Sequence, residues 1–152
     1  KIQQKTKTTK MKKTIRTTIV ALLFVFSFQF MNGQISTSFQ TNSNLSKIGL
    51  GYNFNEKLWG ELRIYSGTSI DEITPEIVLN YNFVQKEYFE TYFGGGVVLN
   101  YFNGIVSQVG VQIKPFENVK NFSFVIEAQP QYNWDYEDFY FNAFGGIRYK
   151  FK

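Results

Sequence analysis

From Asp138 the chain reads DFYFNAFGGIRYKFK, and its character changes at every step. Phe139, Phe141, Ala143, Gly145, Ile147, Tyr149 and Phe151 fall on one parity. Asp138, Tyr140, Asn142, Phe144, Gly146, Arg148 and Lys150 fall on the other. Side chains alternate faces along a strand, so this segment has one apolar, aromatic face and one mixed, charged face. A strand between lipid and a polar lumen needs that pattern.

The pattern recurs through the chain from Gln34 onward. Seven further segments alternate: 35–41, 47–55, 58–66, 75–84, 88–101, 105–114 and 121–133. No stretch shows a helical period. Short polar linkers separate the segments, and strands of about ten residues suit a tilted crossing of the hydrocarbon. An even strand count returns both ends to one side. The expected fold is therefore all-β: an eight-stranded antiparallel up-and-down transmembrane barrel. The turns at 55–57, 84–87 and 115–120 lie at the end that carries the termini. The loops at 42–46, 67–74, 102–104 and 134–137 lie at the other. Pro130 cannot donate to a ladder, which predicts a position near the outer rim or at a bulge. Trp134, Tyr52, Tyr81, Tyr101, Tyr132 and Tyr149 are candidates for interfacial aromatic girdles.

Alternation does not say which face is inside. A secreted soluble barrel would turn the Phe-rich face inward around a ligand. Two arguments favour the membrane form. More than about thirty mostly large apolar side chains would overfill an eight-stranded interior. The opposite face also carries Gly49, Gly51, Gly94, Gly96, Gly110 and Gly146, which suit a crowded lumen.

The chain opens with a basic stretch. Residues 1–10 lack an initiating Met and read as an upstream extension. Residues 11–33 have the three parts of a secretory signal peptide: a positive start, the apolar run IVALLFVFSF, and a short polar end. That run is too short for a membrane-spanning helix. Cleavage is expected after Gly33, which leaves 34–152 as the barrel domain. The net charge of +4 is misleading. Residues 1–33 hold seven Lys/Arg and no acid, whereas 34–152 hold nine Lys/Arg against twelve Asp/Glu. The basic character belongs to the leader, and a nucleic-acid partner is not expected.

The sequence has no Cys and no His. Disulfides, thiolate chemistry and histidine-assisted nucleophiles are thereby excluded. Glu61 with Glu90 or Glu127 could form an acid–base pair, but inward carboxylates are better read as balanced, hydrogen-bonded lumen charges. Asp71, Glu72, Asp135, Glu137 and Asp138 could hold calcium through oxygens; they read as solvated loop charges. No catalytic site, metal site or cofactor is expected. The lumen is expected to hold a charge network of Glu61, Arg63, Glu90, Glu127 and Arg148. Three Glu face two Arg, and Lys47, Lys114 or Lys150 nearer the rims offset the excess in part.

The C-terminal strand resembles the assembly signal of the small eight-stranded outer-membrane barrel family, in which a glycine is followed three and five residues later by aromatics. Gly146, Tyr149 and Phe151 match. Phe144 stands where the family has a polar residue, and Lys152 follows the final aromatic. The resemblance covers 34–152. It implies a monomeric barrel in the outer membrane of a Gram-negative bacterium. The implied partners are outer-membrane lipids, lipopolysaccharide and the barrel assembly machinery. It does not imply one function. A structural or surface-interaction role and a small pore for ions or solutes both remain open.

Overall fold

The computed structural model describes residues 34–66 and 73–151. The segments expected to be an upstream extension and a signal peptide, together with Asp71, Glu72, Lys152 and the side chain of Tyr101, lie outside the described residues. Eight strands follow in order: β1 Gln34–Thr41, β2 Ser46–Asn53, β3 Leu58–Ser66, β4 Thr74–Gln85, β5 Phe89–Val98, β6 Gly104–Ile113, β7 Phe122–Asn133 and β8 Asp138–Lys150. Every strand pairs antiparallel with its sequence neighbours, and β1 pairs with β8, so the sheet closes into a barrel. Closure leaves no full-length open edge, the condition for a sheet in lipid.

Local chemistry sets the turns. At the end that carries the strand termini, the Asn55 side chain accepts hydrogen bonds from the Lys57 and Leu58 amides at 2.8 and 2.7 Å, fixing the β2–β3 turn. Asn42 ends β1 in the same way at the opposite end, accepting from Asn44 and Leu45 at 2.9 and 2.7 Å.

The fifth strand departs most from its expected bounds, and Pro130 takes one of its two expected places. The fifth strand stops at Val98 rather than Tyr101, because Asn100–Phe102 forms a 3-10 turn with Asn100 at φ 68°. Asn tolerates that left-handed backbone better than most residues. Pro130 lies near the outer rim, as expected, in register opposite Phe141 and without a bulge. On its other side the β6–β7 pairing lapses between Val106 and Val109 without a register shift, consistent with its missing donor. The register shift occurs instead in β4, between Asn82 and Val84.

The two faces separate as the alternation requires. Ile48, Leu50, Leu62, Ile77, Leu79, Phe93, Val109 and Ile126 lie on the exterior, each between 46% and 60% exposed. The interior is polar: among the described residues, nineteen buried side chains are polar or charged and eight are apolar. This is inside-out relative to a soluble barrel, and it excludes the reading with a Phe-rich ligand cavity. Tyr132 and Tyr149 lie exposed near strand ends and Trp134 just past the end of β7, where girdle residues belong, whereas Tyr81 is exposed further inside β4 and Tyr52 is half-buried.

Candidate functional site: the charged lumen

Arg63 on β3 sits at the centre of the lumen, with its side chain wholly inaccessible. Its Nε donates to Glu61 Oε2 at 2.7 Å. Nη1 donates to Glu76 Oε1 at 2.9 Å, Gln108 Oε1 at 2.8 Å and Glu127 Oε1 at 3.0 Å, and Nη2 donates to Glu127 Oε2 at 2.9 Å. One guanidinium thus gathers three carboxylates and Gln108 through five hydrogen bonds, two of them a bidentate pair, more than the three donors of a lysine ammonium could make.

Two more cations complete the balance. Lys47 Nζ donates to Glu127 Oε1 at 2.9 Å and to Gln129 Oε1 at 2.8 Å, and lies 4.0 Å from the centre of the Phe144 ring. Arg148 Nη2 lies 3.1 Å from Glu61 Oε1, and its guanidinium stacks 3.6 Å over the Trp59 ring. Glu61, Glu76 and Glu127 therefore face Lys47, Arg63 and Arg148, and the group is neutral.

Neutral donors complete the carboxylate shells. Tyr92 donates to Glu127 Oε2 at 2.6 Å, Tyr65 to Glu76 Oε2 at 2.7 Å, and Ser38 to Glu61 Oε1 at 2.6 Å. Small residues on the same wall make room for these groups. A Cβ on Gly49 would come within 2.5 Å of both Glu61 Oε1 and Ser38 Oγ, and one on Gly110 would come within 2.5 Å of the Tyr92 ring. Either would displace a hydrogen-bonded side chain in a space already filled.

Apolar layers flank the charged one. Toward the outer end, Tyr65, Val78, Val98, Val106 and Phe144 form a cluster, with Leu45 and Phe102 packed against it. Toward the other end lie Trp59, Tyr92 and Val125, with Trp59 and Tyr92 edge to face at 5.2 Å. Beyond them Glu90 accepts from Lys114 at 2.5 Å and Lys150 at 3.1 Å, near the mouth. Outside the spanning region, Lys120 pairs with Glu87 at 2.9 Å on exposed turns. That hydrogen bond holds the ammonium above its ordinary pKa.

Of the five lumen residues expected from the sequence, Glu61, Arg63, Glu127 and Arg148 come together. Glu90 joins a separate cluster with Lys114 and Lys150. The central group takes in Glu76 and Lys47 instead, so the expected excess of one negative charge does not arise there. Glu76 was detectable: it stands on the inward parity of its segment. The C-terminal residues are also placed. Tyr149 and Phe151 pack edge to face at 5.2 Å, and the Phe151 amide donates to the Ile35 carbonyl at 2.7 Å. A Cβ on Gly146 would collide with the Phe39 carbonyl of β1. Among the described residues no acidic cluster is arranged to hold a metal ion.

No family model matches the chain, and no curated protein matches it in sequence. Among solved structures, it is similar to the N-terminal β-barrel domain of Pseudomonas aeruginosa OprF, with TM-score 0.61 and 15% identity over 78% of this chain and 96% of that one. It is also similar to a de novo designed transmembrane β-barrel, with TM-score 0.57 and 16% identity over 78% of this chain and 94% of that one. The designed barrel TMB2.3 gives TM-score 0.54 and 15% identity over 79% of this chain and 94% of that one. At such identities the likeness is one of fold, and that fold is the transmembrane β-barrel.

Proposed function

We propose that this chain is an outer-membrane β-barrel with a structural or surface-interaction role, its lumen plugged by the Arg63-centred charge network, and that it is neither a pore nor an enzyme. The observation that carries this reading is the five-bond clamp of Arg63 on Glu61, Glu76, Gln108 and Glu127. An ion crossing the lumen would have to part that clamp and strand buried charges, at a cost of several kcal/mol per ion. The apolar layers above and below add steps where a hydrated ion finds few partners. Outer-membrane lipids and lipopolysaccharide surround the wall. The barrel assembly machinery inserts the chain through the signal at Gly146, Tyr149 and Phe151, after the leader is removed near Gly33. The barrel acts as a monomer and binds no cofactor. Planar-bilayer recording on the purified barrel tests the reading: closed traces are expected, and a steady ion-selective conductance would establish the pore instead.

A further inference from the structure

Among the described residues the longest unpaired strand edge lies on β8. β8 runs from Asp138 to Lys150, but β1 pairs only Ser36–Thr41 with Gly145–Lys150. Among the described residues, 138–144 pair with a strand on one side only, β7. The missing neighbour would be a continuation of β1, and Asn42 turns the chain away there: its amide donates to the Leu45 carbonyl at 2.8 Å, and its side chain binds two amides of the turn.

The ladder identifies the unpaired groups. Phe151 donates toward β1, to Ile35, and the hydrogen-bonding side alternates along an antiparallel strand. Phe139, Phe141 and Ala143 therefore direct their N–H and C=O groups at the empty side. Asp138 Oδ1 accepts from the Phe139 amide at 2.8 Å, a local substitute for a ladder bond. Among the described residues, the amides of Phe141 and Ala143 and three carbonyls have no ladder partner on that side. Phe139 and Phe141 are 64% and 67% exposed, the highest values among the outward aromatics of the strands. At the hairpin tip, Asp135, Glu137 and Asp138 form no ion pair with the described residues; Asp135 accepts only from Asn103, at 2.8 Å.

We propose that the outer half of β8 is a strand-addition site for an extended segment of another protein. The segment runs antiparallel to β8 beside Phe139–Ala143. It is apolar where it flanks Phe139 and Phe141, and it carries Lys or Arg beside Asp135, Glu137 and Asp138. Main-chain bonds supply the affinity of such a site, and the flanking side chains supply its selectivity. A second copy does not fit. Antiparallel pairing of two β8 edges would invert one barrel in the membrane relative to the other, and parallel pairing of identical edges does not close. The proposal requires the membrane setting but not the closed lumen, so a conducting lumen would leave it standing.

The test uses the full barrel in phospholipid nanodiscs. The probe is a peptide of about seven alternating valine and threonine residues, the length of one strand, flanked by lysines. A glutamate-flanked version is the control. Amide exchange at Phe141 and Ala143 is expected to slow about tenfold with the lysine peptide alone. Ala143→Pro deletes an amide that β7 does not use, so binding is expected to vanish while the heat-modifiable folded band persists. Reversing the tip with Glu137→Lys and Asp138→Lys is expected to switch the preference to the glutamate peptide. Slow exchange at both amides without peptide, undiminished binding to Ala143→Pro, or unchanged preference after the reversal would overturn the proposal. Protection by added lipopolysaccharide alone would also overturn it, by assigning the edge to sugar hydroxyls.

Discussion

Arg63 and Glu127 stand on opposite walls of the barrel and meet as a two-pronged pair, Nη1 to Oε1 at 3.0 Å and Nη2 to Oε2 at 2.9 Å. β3 and β7 are four strands apart in a ring of eight, so this pair spans the full width of the lumen. Removing the cation from such a buried pair leaves charges with neither water nor partner. Arg63→Ala is expected to destabilise the barrel by about 3–5 kcal/mol. Combining it with Glu127→Gln should recover part of that loss, because one stranded charge goes with it. Urea unfolding in lipid vesicles checks both, and a double variant less stable than Arg63→Ala would contradict the pairing.

Charges on the outer wall should follow depth. Leu79 lies mid-strand on β4 with its side chain outward, 51% exposed, whereas Leu99 lies just beyond the outer end of β5. Leu79→Arg is expected to cost about 2–4 kcal/mol and Leu99→Arg about 0–1 kcal/mol. Refolding equilibria in vesicles would show the order, and its reversal would mean that lipid does not contact the Leu79 face.

The ion pair between Lys120 and Glu87 is a control for the buried network. Both side chains are about 60% exposed, at 61% and 59%. Water and salt screen such a pair, and holding two long side chains in place opposes it. Lys120→Ala should leave the unfolding midpoint unchanged within error at ordinary ionic strength, in contrast to Arg63→Ala.

Tyr149→Ala and Phe151→Ala together are expected to reduce assembled protein in cells much more than they reduce refolding of purified chain in detergent. The two rings pack on each other at 5.2 Å and are both exposed on the outer wall. Heat-modifiability gels on both preparations separate the effects. Equal losses would mean the pair acts through stability alone.

Much of the fold was legible because side-chain direction in a strand has period two, and a membrane barrel keeps that period on every strand. The faces of Leu79, Asn80, Glu61 and Arg63 follow from parity. Height does not. Lys47 stands next to the start of β2, where a single strand suggests a rim, yet its ammonium reaches Glu127 and Gln129 of β7 at 2.9 and 2.8 Å. Strand tilt and stagger set which residues share a level, and those belong to the closed sheet. The same stagger moves Glu90 out of the central group. The early end of β1 beside the longer β8 was equally hidden, since it depends on a register between segments more than a hundred residues apart.

That register makes the Phe151 amide and the Ile35 carbonyl neighbours, 2.7 Å apart. The start of β1 and the end of β8 are adjacent points on a continuous ring. A short linker between them, with new ends cut at the turn after β2 or the turn after β4, would give a permuted chain. In it every lumen side chain keeps its address while Gly146, Tyr149 and Phe151 move to the middle. Such a permutant would refold as before in detergent. In the cell it would insert only if the motif is read by its shape in the wall and not by its place at the end of the chain.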